Sequence, residues 1–253
     1  MAQNGSVNLS VENNIGTIEF YHPKGNSLPG ALLRKLAETI TSAGNNDDIK
    51  VIIIKSRGDG AFCAGASFDE LIAIEDYDTG KHFFMGFALV LNAMRSCTKL
   101  IIVRVHGKTV GGGVGIASAG DYTFASRDAA IKLSELALGI GPFVVGPAVE
   151  RKIGTSAFAA LSTDAASWYG ADWAQQKNMF NNVFESTGEM DEAIAELSGQ
   201  LAKSSPEAMK ELKKVFWKGT EDWNRLLEQR AEISGRLVLS DFTKNFIRKF
   251  KNK

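Results

Sequence analysis

With 253 residues, 44% of them hydrophobic, the chain is long enough for one sizeable core or for one main domain with a smaller helical appendage. Its 29 basic and 29 acidic residues cancel, which excludes a global field that would attract nucleic acid or an anionic membrane. Two cysteines, Cys63 and Cys97, are too few for a disulfide framework and fit a reduced, cytoplasmic setting; Met1 precedes polar residues rather than a secretory signal, and the most apolar helix-like run, 83–94, is too short to span a bilayer.

Residues 7–11 and 15–20 are apolar runs around Glu12-Asn13-Asn14, a pattern that predicts a β-hairpin. Asn26-Ser27-Leu28-Pro29 stops the strand and starts a helix that carries Leu32, Leu33, Leu36 and Ile40 on one face and ends near Gly44. Residues 51–54 are apolar on both faces, as a buried parallel strand requires. Residues 68–74 are helix-like, Tyr77-Asp78-Thr79-Gly80 reads as a break, and a second helix is expected from Lys81 to Arg95. Leu100 to Val105 is the next buried strand, Gly111 to Ala119 can begin a helix, and 121–125 and 130–133 are short strands. Beyond Pro142 the strands nearly cease. Helices are expected over 149–153, 156–161 and 170–177, a last short strand at 182–184, and a helical tail over 190–204, 206–217, 221–239 and 241–249. This alternation argues for an α/β fold, divided into a core of residues 1–190 and a helical region of residues 191–253.

Two small-residue turns and one carboxylate stand out: Ala61-Phe62-Cys63-Ala64-Gly65-Ala66, then Gly111-Gly112-Gly113-Val114-Gly115, then Ser134-Glu135. Each turn follows an apolar strand and precedes a segment able to start a helix, so backbone amides are left exposed at both. Such amides can converge on one oxygen as an oxyanion hole, or the glycines can serve tight turns and close packing. Neither turn fits a nucleotide-phosphate template. His22, His82 and His106 fall on separate segments without metal-ligand spacing, so no metal site is expected, and there is no Gly-x-Ser-x-Gly elbow. His106 is expected to cap a strand end.

These motifs resemble the crotonase superfamily, the enoyl-CoA hydratase/isomerase family, over about residues 9–250. Residues 61–66 look like its Ala-Phe-x-Ala-Gly-Ala/Gly turn, and residues 106–113 like its Asn-Gly-x-x-x-Gly-Gly-Gly segment with His106 in the Asn place. The resemblance implies a spiral of repeated ββα units with a C-terminal helical trimerisation region, assembled as a homotrimer or dimer of trimers. It assigns the oxyanion amides to Ala66 and Gly112 and a catalytic acid/base to Glu135. The hydratase branch has a second glutamate, whose place is Gly115 here. An acid used by other branches finds Phe143. The substrate implied is a coenzyme A thioester, with no further cofactor. Cys63 and Ala64 would offer backbone groups to the adenine, Lys24 would reach a phosphate, and Phe246 and Lys249 resemble residues that reach a neighbour's CoA. The activity implied is that of a lyase or isomerase acting through a thioester enolate. Decarboxylation, thioester hydrolysis and non-catalytic acyl-CoA binding are the alternatives on the same scaffold.

Overall fold

The structure is a computed structural model that describes residues 5–251. It opens with an antiparallel hairpin of β1 (Ser6–Glu12) and β2 (Ile15–Tyr21). Asn13 and Asn14 take φ of 51° and 64°, the left-handed geometry that a two-residue hairpin turn needs and that asparagine tolerates. The helix α1 (Gly30–Gly44) crosses back to β3 (Val51–Ser56), which lies parallel to β2. Its buried face is Leu32, Leu33, Leu36, Ala37 and Ile40, the stripe expected from the sequence.

A single helical turn, α2 (Phe68–Leu71), and the long α3 (Tyr77–Ser96) lead to β4 (Leu100–Val105). The expected break at residues 77–80 is in fact the first turn of α3. Asp76 caps it: its Oδ1 accepts from the Thr79 amide at 2.8 Å, and Thr79 Oγ1 in turn accepts from the Asp76 amide at 3.3 Å. Gly80 is in the helix because α9 (Trp223–Leu237) crosses there. A Cβ on Gly80 would lie 3.0 Å from the carbonyl oxygen of Gly235.

After β4 come β5 (Thr109–Val110), α4 (Gly112–Ala119), β6 (Tyr122–Ser126) and β7 (Ala130–Lys132). The helices expected at 149–153 and 156–161 are the two halves of α5 (Gly146–Thr163), which break at Gly154, where φ 77°, ψ 157° is not helical. Then follow β8 (Tyr169–Gly170), α6 (Ala171–Gln176), β9 (Asn182–Phe184), α7 (Thr187–Ala202), α8 (Pro206–Phe216), α9 and α10 (Asp241–Lys251).

The strands form a six-stranded sheet in the order β1-β2-β3-β4-β6-β9, parallel from β2 onward, and a three-stranded sheet β5-β7-β8. The small sheet was not read from the sequence, because β5 and β8 are two residues each. The main core lies between the large sheet and helices α1, α3, α4 and α5. On the other face Met190 and Ile194 of α7 pack on Val51, Ile102 and Phe124. Residue 190 therefore sits inside a helix that covers the sheet. Among the described residues no helix is long and apolar enough to cross a membrane.

Candidate active site

The two small-residue turns touch. Parallel bridges tie Cys63 to Thr109 and Leu28 to Ala66, which draws the 61–66 turn against the strand that precedes the glycine triplet. A Cβ placed on Gly65 would lie 3.2 Å from the Val110 carbonyl oxygen and 3.9 Å from the Gly112 amide nitrogen. Gly65 has φ 88° and Gly111 has φ 53°, ψ −113°, conformations that only glycine adopts without strain. Gly112 is the first residue of α4, so its N–H has no intrahelical partner. Among the described residues neither the Ala66 nor the Gly112 amide donates to any acceptor, and both residues line one cavity of about 710 Å³.

Glu135 enters the same cavity from just beyond β7. Its Oε1 would lie 2.9 Å from a Cβ on Gly111, so the absence of a side chain at 111 makes room for the carboxylate. Its backbone oxygen accepts from Leu138 and Ile140, which fixes the bend that aims the side chain inward. Oε2 is buried and has no hydrogen-bond partner among the described residues. Burial pushes the pKa up to about 7 by penalising the anion.

Phe83, Phe84 and Phe87 of α3 form one apolar wall, with Leu138, Ile140 and Phe143 facing the cavity as well. Phe87 lies directly on the triplet, its ring occupying the space a Cβ on Gly112 would need. The place of the missing second acid is equally closed. A Cβ on Gly115 would meet Val145 Cγ1 at 2.7 Å and Leu91 Cδ2 at 3.6 Å. Position 115 is thus packed rather than vacant. Nothing in the sequence points to Val145 as its occupant, because the two positions are thirty apart in the chain and only the fold brings them together.

The other expected binding residues divide. Lys24, Ala64 and Phe246 line the cavity. Lys24 is exposed and its ammonium pairs with the Asp69 carboxylate. Phe246 faces the cavity of its own chain, whereas the resemblance had it reaching a neighbour. Cys63 does not line the cavity: it is fully buried under Gly113, its N–H donates to the Lys108 oxygen at 3.4 Å, and its oxygen accepts from Val110 at 2.9 Å. Both backbone groups of Cys63 are thus already hydrogen-bonded within the chain, and burial pushes its thiol up to about 12. Lys249 is exposed on α10 and stays outside the cavity lining. His106 is buried edge-on to Phe62, and neither ring nitrogen has a partner among the described residues, so it caps no strand end. Burial, then Arg104, lowers its pKa.

An apolar cavity lined by Ala66 and Gly112, whose amides are unpaired among the described residues, and by one buried carboxylate has the donors and the acid that polarising a carbonyl and moving a proton beside it require. The sequence matches the model of the enoyl-CoA hydratase/isomerase family over residues 10–249, and the chain belongs to that family. It is 24% identical over 98% of its length to a probable enoyl-CoA hydratase of Bacillus subtilis, covering 96% of that protein. A (7aS)-7a-methyl-1,5-dioxo-2,3,5,6,7,7a-hexahydro-1H-indene-carboxyl-CoA hydrolase of Rhodococcus jostii is 29% identical over 68% of the chain; that match spans 64% of the relative, a little under two thirds. The crystal structure of an enoyl-CoA hydratase from Bacillus halodurans superposes with a TM-score of 0.89 at 20% identity, covering 96% of this chain and 99% of that one.

Proposed function

We propose that the protein acts on an acyl-CoA thioester and moves its double bond by a proton shuttle through Glu135. The observation that carries this reading is the single buried carboxylate beside the amides of Ala66 and Gly112, with the position of a second acid filled by Val145. In a 3-enoyl thioester, the Glu135 carboxylate removes a proton from the α-carbon. The electron pair moves into the carbonyl, whose oxygen takes the charge opposite the two N–H groups. Glu135, now protonated, returns the proton to the γ-carbon, and the double bond ends in conjugation with the thioester. One carboxylate suffices, and no water enters the balance. Each well-placed amide lowers the barrier by about 2.7 to 4 kcal/mol. Hydration by Glu135 alone should be slower than with two acids, because Gly115 has no side chain to help hold the water.

The test is incubation of purified protein with a 3-enoyl-CoA, following conjugation by absorbance and deuterium uptake at the α- and γ-carbons. Glu135→Gln should lower the rate about 10²- to 10⁴-fold. Steady hydration of crotonyl-CoA without isomerisation would refute the shuttle. The Rhodococcus relative's name favours a second reading, thioester hydrolysis with Glu135 as base toward water, which release of free CoA thiol would reveal. Binding of acyl-CoA with neither product would instead assign a non-catalytic role. Exposed Leu212, Val215 and Phe216 on α8 support assembly as a homotrimer or dimer of trimers, and light scattering of a monomer would remove that part.

A further inference from the structure

The two cavity amides are held by different means. Gly112 opens α4, and the carbonyl of its own peptide plane, that of Gly111, accepts from the Val114 and Gly115 amides at 2.9 and 3.2 Å, so the helix itself aims the Gly112 N–H. Ala66 has no such scaffold. It lies in the turn, two residues before the single helical turn of α2.

What holds Ala66 is the segment that precedes α1. Two peptide planes meet at this residue, and between them they carry four polar groups. The Leu28 N–H donates to the Gly65 oxygen at 2.8 Å, the Ser67 N–H donates to the Leu28 oxygen at 3.1 Å, and Ser27 Oγ donates to the Ala66 oxygen at 2.8 Å. Three of the four groups are thus fixed by residues 27 and 28. The fourth is the Ala66 N–H. Because a trans peptide sets N–H and C=O on opposite sides, the bond from Leu28 to the Gly65 oxygen turns that N–H away from Leu28.

Of the three bonds only the one from Ser27 comes from a side chain. Ser27 is half-buried and lines the same cavity as Ala66, Gly112 and Glu135. Its base is rigid: the neighbouring Asn26 is buried, its carboxamide donating to the Arg57 and Ala61 oxygens at 3.1 and 2.9 Å and accepting from the His22 N–H at 2.8 Å. Without the Ser27 hydroxyl, the plane that follows Ala66 keeps a single hydrogen bond and can pivot on it, carrying the Ala66 nitrogen with it.

We propose that Ser27 is a positioning residue for the oxyanion hole: through the Ala66 carbonyl it keeps the Ala66 N–H aimed at the oxygen of a bound thioester. The proposal rests on the acyl-thioester reading above and adds to it a side chain that acts through the backbone. A misdirected donor loses most where charge has built up on the oxygen, so the loss falls on the transition state rather than on binding.

The test uses Ser27→Ala, Ser27→Cys and Ser27→Thr. A saturated acyl-CoA carrying a heavy-carbon label at the thioester carbonyl has no double bond to move, so its bound state suits isotope-edited infrared spectroscopy. In the unaltered protein the carbonyl stretch should fall in frequency on binding, as two amides draw charge onto the oxygen. Ser27→Ala should lose part of that fall. Ser27→Thr, which keeps the hydroxyl, should restore it, and Ser27→Cys, a weak donor of similar size, should lie between. On a 3-enoyl-CoA, Ser27→Ala should lower kcat about tenfold with KM unchanged, less than the roughly 10²- to 10³-fold that outright loss of one donor costs. Circular dichroism melts establish that each variant folds, and the cysteine variant carries the comparison if the alanine variant does not. A carbonyl frequency that neither variant moves overturns the proposal. So does a rise in KM at constant kcat, which would make Ser27 a plain contact to the substrate. The infrared reading needs binding only, so a Ser27-dependent shift without turnover refutes the isomerase reading alone, whereas failure of every acyl-CoA to bind refutes the acyl-thioester reading and this proposal with it.

Discussion

Glu135 is held where its anion is poorly solvated, and that one fact sets two pH dependences of opposite sense. As a base it must be ionised, so the rate on a 3-enoyl thioester should rise with pH through about 7 and level off above it. Stability moves the other way. The folded value lies above the 4.5 of a free glutamate, so the folded state holds the proton more tightly than the unfolded one. Its contribution is complete below about 4.5 and is lost as pH rises through about 7. Glu135→Gln should therefore gain thermal stability over the parent at pH 8 and lose that advantage at pH 4, read from melting curves. Gly115→Glu tests the packed position. Overpacking there should cost about 1–3 kcal/mol, and hydratase activity should not appear. Pairing it with Val145→Ala should return much of the lost melting temperature; full stability of the single variant would show that Val145 yields easily.

Elements position these residues through close backbone approaches that only part of the sequence announces. The crossing of α3 and α9 is set by Gly80 and Gly235, where a Cβ on Gly235 would lie 2.7 Å from the Lys81 amide nitrogen. Lys81 then clamps the pair through Glu228 at 2.7 Å and Glu232 at 2.8 Å. Gly235→Ala should push α9 off the wall that carries Phe83 and Phe87, lowering both melting temperature and affinity for acyl-CoA; a melt unchanged within error would contradict that. The long strands, α1 and the two turns were legible because burial imposes an apolar pattern and glycine marks positive φ. The start of α3 was misread because Gly80 reads as a breaker, while its cause is a partner 155 positions away in the chain. The strands β5 and β8 are too short to carry any pattern. In the site, the two small-residue turns and Glu135 stand out as local motifs, and the resemblance assigns Ala66 and Gly112 within those turns. The contact of Val145 with position 115 and the burial of Cys63 under Gly113 arise from long-range packing and left no local trace.

At the scale of the molecule, the C-terminal helices are tied to the core by a buried charge. Lys213 of α8 donates to Asp121 Oδ2 at 2.8 Å and to the Lys99 oxygen at 3.0 Å, with side-chain exposures of 3% and 6% for the ion pair. Asp121 also accepts from Trp217 Nε1 at 3.0 Å and from the Ile101 amide at 2.7 Å. Lys213→Met should cost about 3–5 kcal/mol because it strands a buried carboxylate, and adding Asp121→Asn should recover part of it in a double-mutant melt series. A loss below 1 kcal/mol would mean that water reaches Asp121. The filling of position 115 by Val145 has a bearing on descent as well. A lineage with this packing cannot acquire a second acid in one step: a glutamate arriving first collides, and a trimmed valine arriving first leaves a void. Each half-way form should be less stable than its parent, so the interior itself would guard the lone carboxylate at this site against the arrival of a second.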